Sequence, residues 1–208
     1  MPDEPPRTDG DGGDEPSVCI DTPAAVANAV RVDGAPSFPP RFWKLVLEFD
    51  DGGAVAFTNT RRLGRVRLLR GPDPLKLPPL SKLGFDPLLA LPPLAEFAAL
   101  VKRRRAPIKA LLLDQSFAAG VGNWIADEVL YQARVHPTVY ADSMDDEQIG
   151  AVRDALKYIV DKAVAVNADY RHFPDDWLFH RRWGKGTKAN NKGLKFITVG
   201  GRTTAVDE

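Results

Sequence analysis

The sequence predicts an α+β fold from three observations. Two apolar segments flank an Asp/Gly turn near residue 50, helical periodicity dominates the region 94–170, and a strand, a Gly-Gly turn and a strand close the chain. The 208 residues, 44% of them apolar, suffice for one or two small domains. No apolar run reaches the roughly 18 residues of a membrane span, and no secretory signal opens the chain, so we expect a soluble intracellular protein without membrane contact.

The zero net charge hides an uneven distribution. Residues 1–35 carry eight acids and two arginines among Pro and Gly, a net charge of −6, and read as an acidic disordered lead-in. The remaining chain therefore carries +6. The lone Cys19 excludes an internal disulfide, and three histidines beside it provide no zinc set, so we expect no cofactor and no metal.

Residues 36–70 form the predicted β region. Apolar segments at 42–49 and 54–58 flank Asp50-Asp51-Gly52-Gly53, which predicts a hairpin. A third strand is predicted at 66–69, after the turn at 61–64. The proline-rich stretch 71–93 is predicted as a linker.

Residues 94–170 are predicted as a cluster of four helices. The first begins at Leu94 and ends in a basic turn before Pro107, and the second spans 108 to about 118. Asn123 is the expected N-cap of the third, after Gly120-Val121-Gly122. Ser143 with Asp146 opens the fourth. Its buried stripe comprises Ile149, Val152, Leu156, Ile159 and Ala163.

Residues 171–208 contain the closing hairpin, with strands at 194–199 and 202–206 around Gly200-Gly201. Basic residues concentrate in three places: five arginines within 61–70, the run 102–105, and seven Lys or Arg without any acid from 178 to 206. One such cluster is usually only a solvated face. Three of them in one domain favour a polyphosphate partner.

The turn at 120–123 (Gly-Val-Gly-Asn) is the most informative segment. Free amides at a helix start and an Asn amide suit a phosphate oxygen, although a plain helix-helix turn would look the same. The longer string around this turn is too distinctive to be a plain helix-helix turn. It reads IKALLLDQ from 108 and GNWIADE from 122, and it ends in His136-Pro137. This string resembles the helix-two-turn-helix of the formamidopyrimidine-DNA glycosylase and endonuclease VIII family.

Two further segments support this resemblance. Residues 61–64 read Arg-Arg-Leu-Gly where the family carries Arg-Arg-Phe-Gly, and 196–204 read FITVGGRTT, like the family's β-hairpin finger. The finger holds no cysteine, so the chain is most similar to the plant and fungal branch, whose finger is zincless. The resemblance covers roughly 36–206 and implies that 36–70 is the remnant of an N-terminal β-sandwich.

The resemblance implies a base-excision-repair enzyme that flips oxidised bases from duplex DNA, removes them and cuts the strand as an AP lyase. It implies that Lys109 and Asn123 hold phosphates near the lesion and that Arg202 reaches a phosphate from the minor-groove side. Arg61 would fill the gap left by the flipped base. Leu63 would be the wedge, where the family usually has Phe.

The front of the chain departs from the family pattern. The family nucleophile is the proline exposed by removal of the initiator Met, followed by glutamate, on a β-sandwich. Here Pro2 is followed by Asp3, with Glu4 one place later, and no sandwich sequence surrounds them. Pro2 and Glu4 are the catalytic candidates, but we favour coincidence for Pro2. We therefore expect the chain as given to be a poor or inactive enzyme.

Two functions stay open at this stage. One is a DNA glycosylase and AP lyase whose partner is double-stranded DNA with oxidised bases or abasic sites. The other is a non-catalytic module that binds DNA or structured RNA, because the helical motif alone only binds phosphates. The finger in register with the helices favours the first. We expect a monomer, and resemblance to eukaryotic members suggests the nucleus.

Overall fold

A computed structural model describes residues 38–183 and 193–207. The described residues fall into two compact units, which divide between Leu68 and Leu69. The acidic lead-in at 1–35, with Pro2 and Glu4, lies outside the described residues. Within the described ranges, no helix is long and apolar enough to cross a membrane.

The first unit contains the predicted hairpin. Strands β1 (Trp43–Glu48) and β2 (Ala54–Thr58) pair antiparallel. The turn between them is closed by Asp51, whose carboxylate accepts the Gly53 amide at 2.8 Å, and it uses a left-handed Gly52 (φ +82°). The hairpin prediction is confirmed.

The predicted third strand at 66–69 is wrong. These residues have no strand hydrogen bonds, and Val66 and Leu68 are 62% and 74% exposed. A strand is stable only with a neighbour for its amides and a surface for its apolar side chains. No described segment pairs with 66–69, and no described surface covers the side chains of Val66 and Leu68.

Four helices make up most of the second unit: α1 (Leu94–Lys102), α2 (Ile108–Leu113), α3 (Asn123–Gln132) and α4 (Asp146–Ala165). Their apolar faces enclose one core. The α4 stripe predicted from periodicity is buried throughout, and Phe97 and Val101 of α1 are fully buried against it. The four-helix prediction is confirmed.

Three helix ends differ from the prediction. Helix α2 ends at Leu113, five residues early, because the Asp114 carboxylate accepts both the amide and the hydroxyl of Ser116 and so turns the chain. The N-cap of α3 is Gly122, not Asn123. The N-cap of α4 is Asp145, which forms a capping box with Gln148 and replaces the predicted Ser143 start.

The end of the proline-rich segment belongs to this core. Gly84 donates its amide to the Gln115 carbonyl (2.8 Å), and Phe85 forms a β-bridge with Ala118. The Phe85 ring packs edge-on against Phe97 and Phe117, with centroids 5.9 and 5.2 Å away. Part of the segment predicted as a linker thus packs against the core of the helical unit.

The closing hairpin is confirmed. Strands β3 (Leu194–Val199) and β4 (Arg202–Asp207) pair in register around Gly200 and Gly201. Both glycines have positive φ, +58° and +71°, as a two-residue hairpin turn requires. We call residues 194–207 the finger.

Candidate nucleic-acid interface

The finger docks its outer edge on the helices. In a two-residue hairpin, alternate residues of β4 direct their backbone groups away from β3. The Thr203 carbonyl is one of these, and it accepts hydrogen bonds from Asn123 Nδ2 at 3.0 Å and Lys109 Nζ at 3.2 Å. The Ala205 amide, two residues on, donates to Asp127 Oδ2 at 3.4 Å. Helix side chains thereby satisfy an edge that would otherwise be unpaired.

The turn before α3 is held by hydrogen bonds from the Gln115 side chain. Gln115 accepts the Gly120 amide on Oε1 (2.9 Å) and donates from Nε2 to the Val121 carbonyl (3.0 Å). Gly120 has φ +84°, a conformation that favours glycine. The turn is therefore fixed before any ligand arrives.

The start of α3 presents unused donors. Among the described residues, no side chain caps this helix, so its first amides stay available and carry the positive end of the helix dipole. Asn123, the first helical residue, donates one side-chain N–H to Thr203 and keeps the second, while its Oδ1 has no partner among the residues described. An anion is the natural ligand for this end of the helix.

Arg202 lies beside this helix start. It is exposed, precedes Thr203 and follows the Gly-Gly turn. Within the described ranges, no hydrogen-bond acceptor holds its guanidinium. Because Asn123 binds the carbonyl of the very next residue, the fold brings Asn123 and Arg202 together.

Beneath this surface lies a buried ionic cluster of Lys109, Asp127 and Arg182. The Lys109 ammonium is 2.6 Å from Asp127 Oδ1, and Arg182 Nη2 is 2.6 Å from Asp127 Oδ2. Lys109 also donates to the Thr204 hydroxyl at 2.5 Å. Burial lowers the pKa of Lys109, although the hydrogen bond and charge of Asp127 oppose the shift. The phosphate role of Lys109 stays a prediction; in the structure the side chain is fully buried.

Glu128 positions the chain that leads to the finger. Its buried carboxylate accepts the amides of Leu178 (3.1 Å) and Phe179 (2.7 Å) and the Gln132 side chain (3.0 Å). Burial raises the pKa of Glu128, and these hydrogen bonds work against the rise. Sequence reasoning missed Asp127, Glu128 and Arg182. The available signal was a pair of adjacent acids inside an otherwise apolar helix.

An aromatic cluster holds residues 170–183 against α3. Trp124 stacks on Phe173 (centroids 5.5 Å apart) and meets Phe179 edge-on at 5.2 Å. Phe173 also packs on Trp177, which is almost fully buried. The segment is thus anchored by rings as well as by Glu128.

Arg61 and Leu63 belong to the first unit. Both are exposed, and Leu63 is 73% exposed, so its side chain does not pack in the hairpin core. The Leu63 amide donates to Asn59 Oδ1 at 3.3 Å, and Arg62 has φ +54°, which makes 59–63 a tight turn. Pro2 and Glu4 lie outside the described residues. Within the described ranges, no three His, Cys, Asp or Glu side chains are grouped to hold a metal ion.

The finger turn offers a matched test of docking. A Cβ at Gly200 would lie 3.2 Å from Cα and Cβ of Ala110 in α2, whereas a Cβ at Gly201 would meet nothing within 4 Å. Both positions have positive φ, so Ala costs about 1 kcal/mol in either from backbone strain. We expect Gly200→Ala to lower the thermal stability more than Gly201→Ala. Equal losses would show that the turn does not rest on α2.

Comparison with known proteins agrees with this architecture. Residues 83–174 match the H2TH domain of formamidopyrimidine-DNA glycosylase. The formamidopyrimidine-DNA glycosylase of Arabidopsis thaliana is 46% identical over 176 residues, which are 84% of this chain and 45% of that protein. The enzyme of that name from Desulfitobacterium hafniense is 32% identical over 177 residues, 80% of this chain and 64% of its own length. The chain thus spans about half to two thirds of these relatives.

Solved structures show the same arrangement. The MutM (Fpg) protein of Thermus thermophilus superposes with a TM-score of 0.63 at 29% identity, over 80% of this chain and 67% of its own. The Lactococcus lactis formamidopyrimidine-DNA glycosylase, solved noncovalently bound to DNA containing an AP site, shares the fold with a TM-score of 0.50 at 24% identity. That match covers 61% of this chain and 48% of the other.

The four helices, the braced turn between α2 and α3 and the docked hairpin define a helix-two-turn-helix protein with a β-hairpin finger. Within that class, the matched domain and the similarity to the Arabidopsis protein over most of the chain decide the family. The chain belongs to the formamidopyrimidine-DNA glycosylase and endonuclease VIII family.

Proposed function

We propose that this chain binds double-stranded DNA carrying oxidised bases or abasic sites, as a protein of base excision repair. One observation carries the proposal. The exposed Arg202, the free N–H of Asn123 and the uncapped amides of α3 are brought together by the shared contact at Thr203. Such a set of donors suits the oxygens of one stretch of phosphate backbone.

The full reaction of the family is the next part of the proposal. The relatives are named formamidopyrimidine-DNA glycosylases, and we propose that the intact family removes oxidised purines and then cuts the strand as an AP lyase. The chain as given is expected to carry out this reaction poorly or not at all. The exposed Arg61 would fill the gap left by a flipped base, and the exposed Leu63 would wedge a base step. Similarity to the Arabidopsis protein supports a nuclear location, which imaging of a tagged full-length chain would test.

A second candidate is a non-catalytic module that grips DNA or structured RNA. It is favoured by one feature: the donors at Asn123 and Arg202 bind phosphate without any nucleophile. Borohydride reduction with DNA containing an abasic site separates the two functions. An amine that reacts with the sugar becomes covalently linked to the DNA, whereas noncovalent binding leaves no adduct. Pro2 is the candidate amine, and Glu4 the candidate acid beside it.

Salt dependence tests the proposed binding. We expect affinity for duplex DNA to fall steeply with added salt, because each neutralised phosphate releases counterions. Asn123→Ala and Arg202→Ala should each weaken binding, and Arg202→Ala should lower the salt slope by about one. Lys157→Ala, which removes an exposed cation paired with Asp161 on α4, is the control and should bind as the parent does. Parent-like binding by both test variants would refute the interface.

A further inference from the structure

We infer that Lys109 is a positioning residue, which fixes the finger so that Arg202 faces the bound phosphate and makes no phosphate contact itself. The inference deepens the proposed DNA-binding function and rests on it. It assigns a role to a buried cation that the surface donors leave unexplained.

The donor count of Lys109 is the first step. An ammonium has three N–H donors. Lys109 donates two hydrogen bonds, to Thr204 Oγ1 at 2.5 Å and to the Thr203 carbonyl at 3.2 Å, and its ammonium also forms an ion pair with Asp127 Oδ1 at 2.6 Å. The side chain is fully buried. A phosphate oxygen would therefore have to displace one of these partners and also reach a group that solvent does not reach.

The position of those acceptors is the second step. Thr203 and Thr204 are in β4 directly after Arg202, and Thr204 is itself buried. Lys109 is in α2 next to Ala110, on which the Gly200 turn rests. The ammonium thus joins α2 to the strand that carries Arg202, about 95 residues away in sequence.

The third step is the counter-charge. Asp127 of α3 lies between Lys109 and Arg182, and it also accepts the Ala205 amide. One carboxylate therefore ties α2, the segment before the finger and β4 to α3. With Asn123 on the same Thr203 carbonyl, the finger is fixed relative to the uncapped start of α3. Preorganisation of this kind lowers the cost of ordering Arg202 when DNA binds.

A double-mutant cycle with Arg202 tests the inference. Lys109→Met keeps the length of the side chain and removes the ammonium. We expect Lys109→Met and Arg202→Ala each to weaken binding to abasic-site duplex by up to about tenfold, and the double variant to bind no more weakly than Arg202→Ala. The salt slope of the double variant should be lower than the parent slope by about one. Multiplied losses and a slope lower by about two would show that Lys109 holds its own phosphate, and would overturn the inference.

A milder variant guards against a folding defect. Thr204→Val removes one acceptor of Lys109 at nearly constant volume and leaves every basic side chain in place. We expect it to weaken DNA binding in the same direction as Lys109→Met. Lys157→Met is the matched control, with an exposed ion pair instead of a buried one, and should bind as the parent does. Parent-like binding by Thr204→Val and Lys109→Met would overturn the inference.

Hydrogen exchange separates this inference from the proposed function. In the free protein, Lys109→Met should speed amide exchange at 199–205 and leave the middle of α4 protected. That readout needs no DNA. If the parent chain fails to bind DNA at low salt, the proposed function fails, whereas unchanged exchange in the finger would refute the positioning role.

Discussion

Replacing Asp127 by Asn is expected to lower the free energy of unfolding by about 3 to 5 kcal/mol. Asp127 is the counter-charge of both Lys109 and Arg182, and all three side chains are buried. The substitution keeps the shape and removes the charge, which leaves two buried cations without a counter-ion. The Asn amide group would also meet N–H donors where Asp127 offers only acceptors. Denaturant unfolding of the two proteins measures the difference.

The control for this measurement is Asp161→Asn. Asp161 pairs with Lys157 four residues earlier on α4, and both side chains are well exposed. The same chemical change should cost no more than about 0.5 kcal/mol there. A loss below about 1 kcal/mol at Asp127 would mean that water or rearranged side chains stabilise the two cations, and that the cluster does not tie the finger to α3.

Regular periodicity was the part of the fold that the sequence predicted best. The α4 stripe and the two hairpins depend on residues close in sequence, and their patterns are unambiguous. Helix α2 was predicted to continue to about residue 118 because no glycine or proline interrupts the sequence between Ile108 and Gly120. What ends the helix is a local competition: the Asp114 carboxylate binds two groups of Ser116 and the helical ladder stops.

The candidate site was predicted only in part. Asn123 and Arg202 became candidates because their neighbours form distinctive strings, and their phosphate roles stay predictions. The prediction that Asn123 is the N-cap of α3 was wrong. The Asn123 side chain reaches Thr203, 80 residues away, instead of capping its own helix. The ionic cluster was not predicted at all, because Lys109, Asp127 and Arg182 are widely separated along the chain. Nothing in their local patterns indicates that they meet.

The proline-rich segment shows another limit of local patterns. Its composition predicts a linker, and composition says nothing of a β-bridge to a distant residue. Gly84 shows why this part of the segment packs against the helical unit. A Cβ on this residue would lie 2.1 Å from the Phe117 carbonyl oxygen and 2.4 Å from its carbon, so the two backbones touch. Only glycine permits that approach.

Gly84→Ala is therefore expected to lower the free energy of unfolding by about 3 kcal/mol, at the upper end of overpacking costs. The clash is with backbone, which cannot rotate away as a flexible side chain can. To relieve the clash, the protein must break the hydrogen bond from the Gly84 amide to the Gln115 carbonyl and move Phe85 away from Phe97 and Phe117. Gln115 also braces the turn before α3, so DNA affinity should fall together with stability.

Gly150→Ala is the control, and it is expected to raise the stability where Gly84→Ala lowers it. Gly150 is inside α4, and its Cβ would meet only Leu94 Cδ1 at 3.9 Å, an ordinary contact. Because alanine favours helix over glycine, this variant should be about 0.5 to 1 kcal/mol more stable than the parent. Thermal unfolding of both variants decides the matter. If Gly84→Ala unfolds at the parent temperature while Gly150→Ala is stabilised, residues 83–85 are a tether on the outside of the helical unit, and the segment is a linker after all.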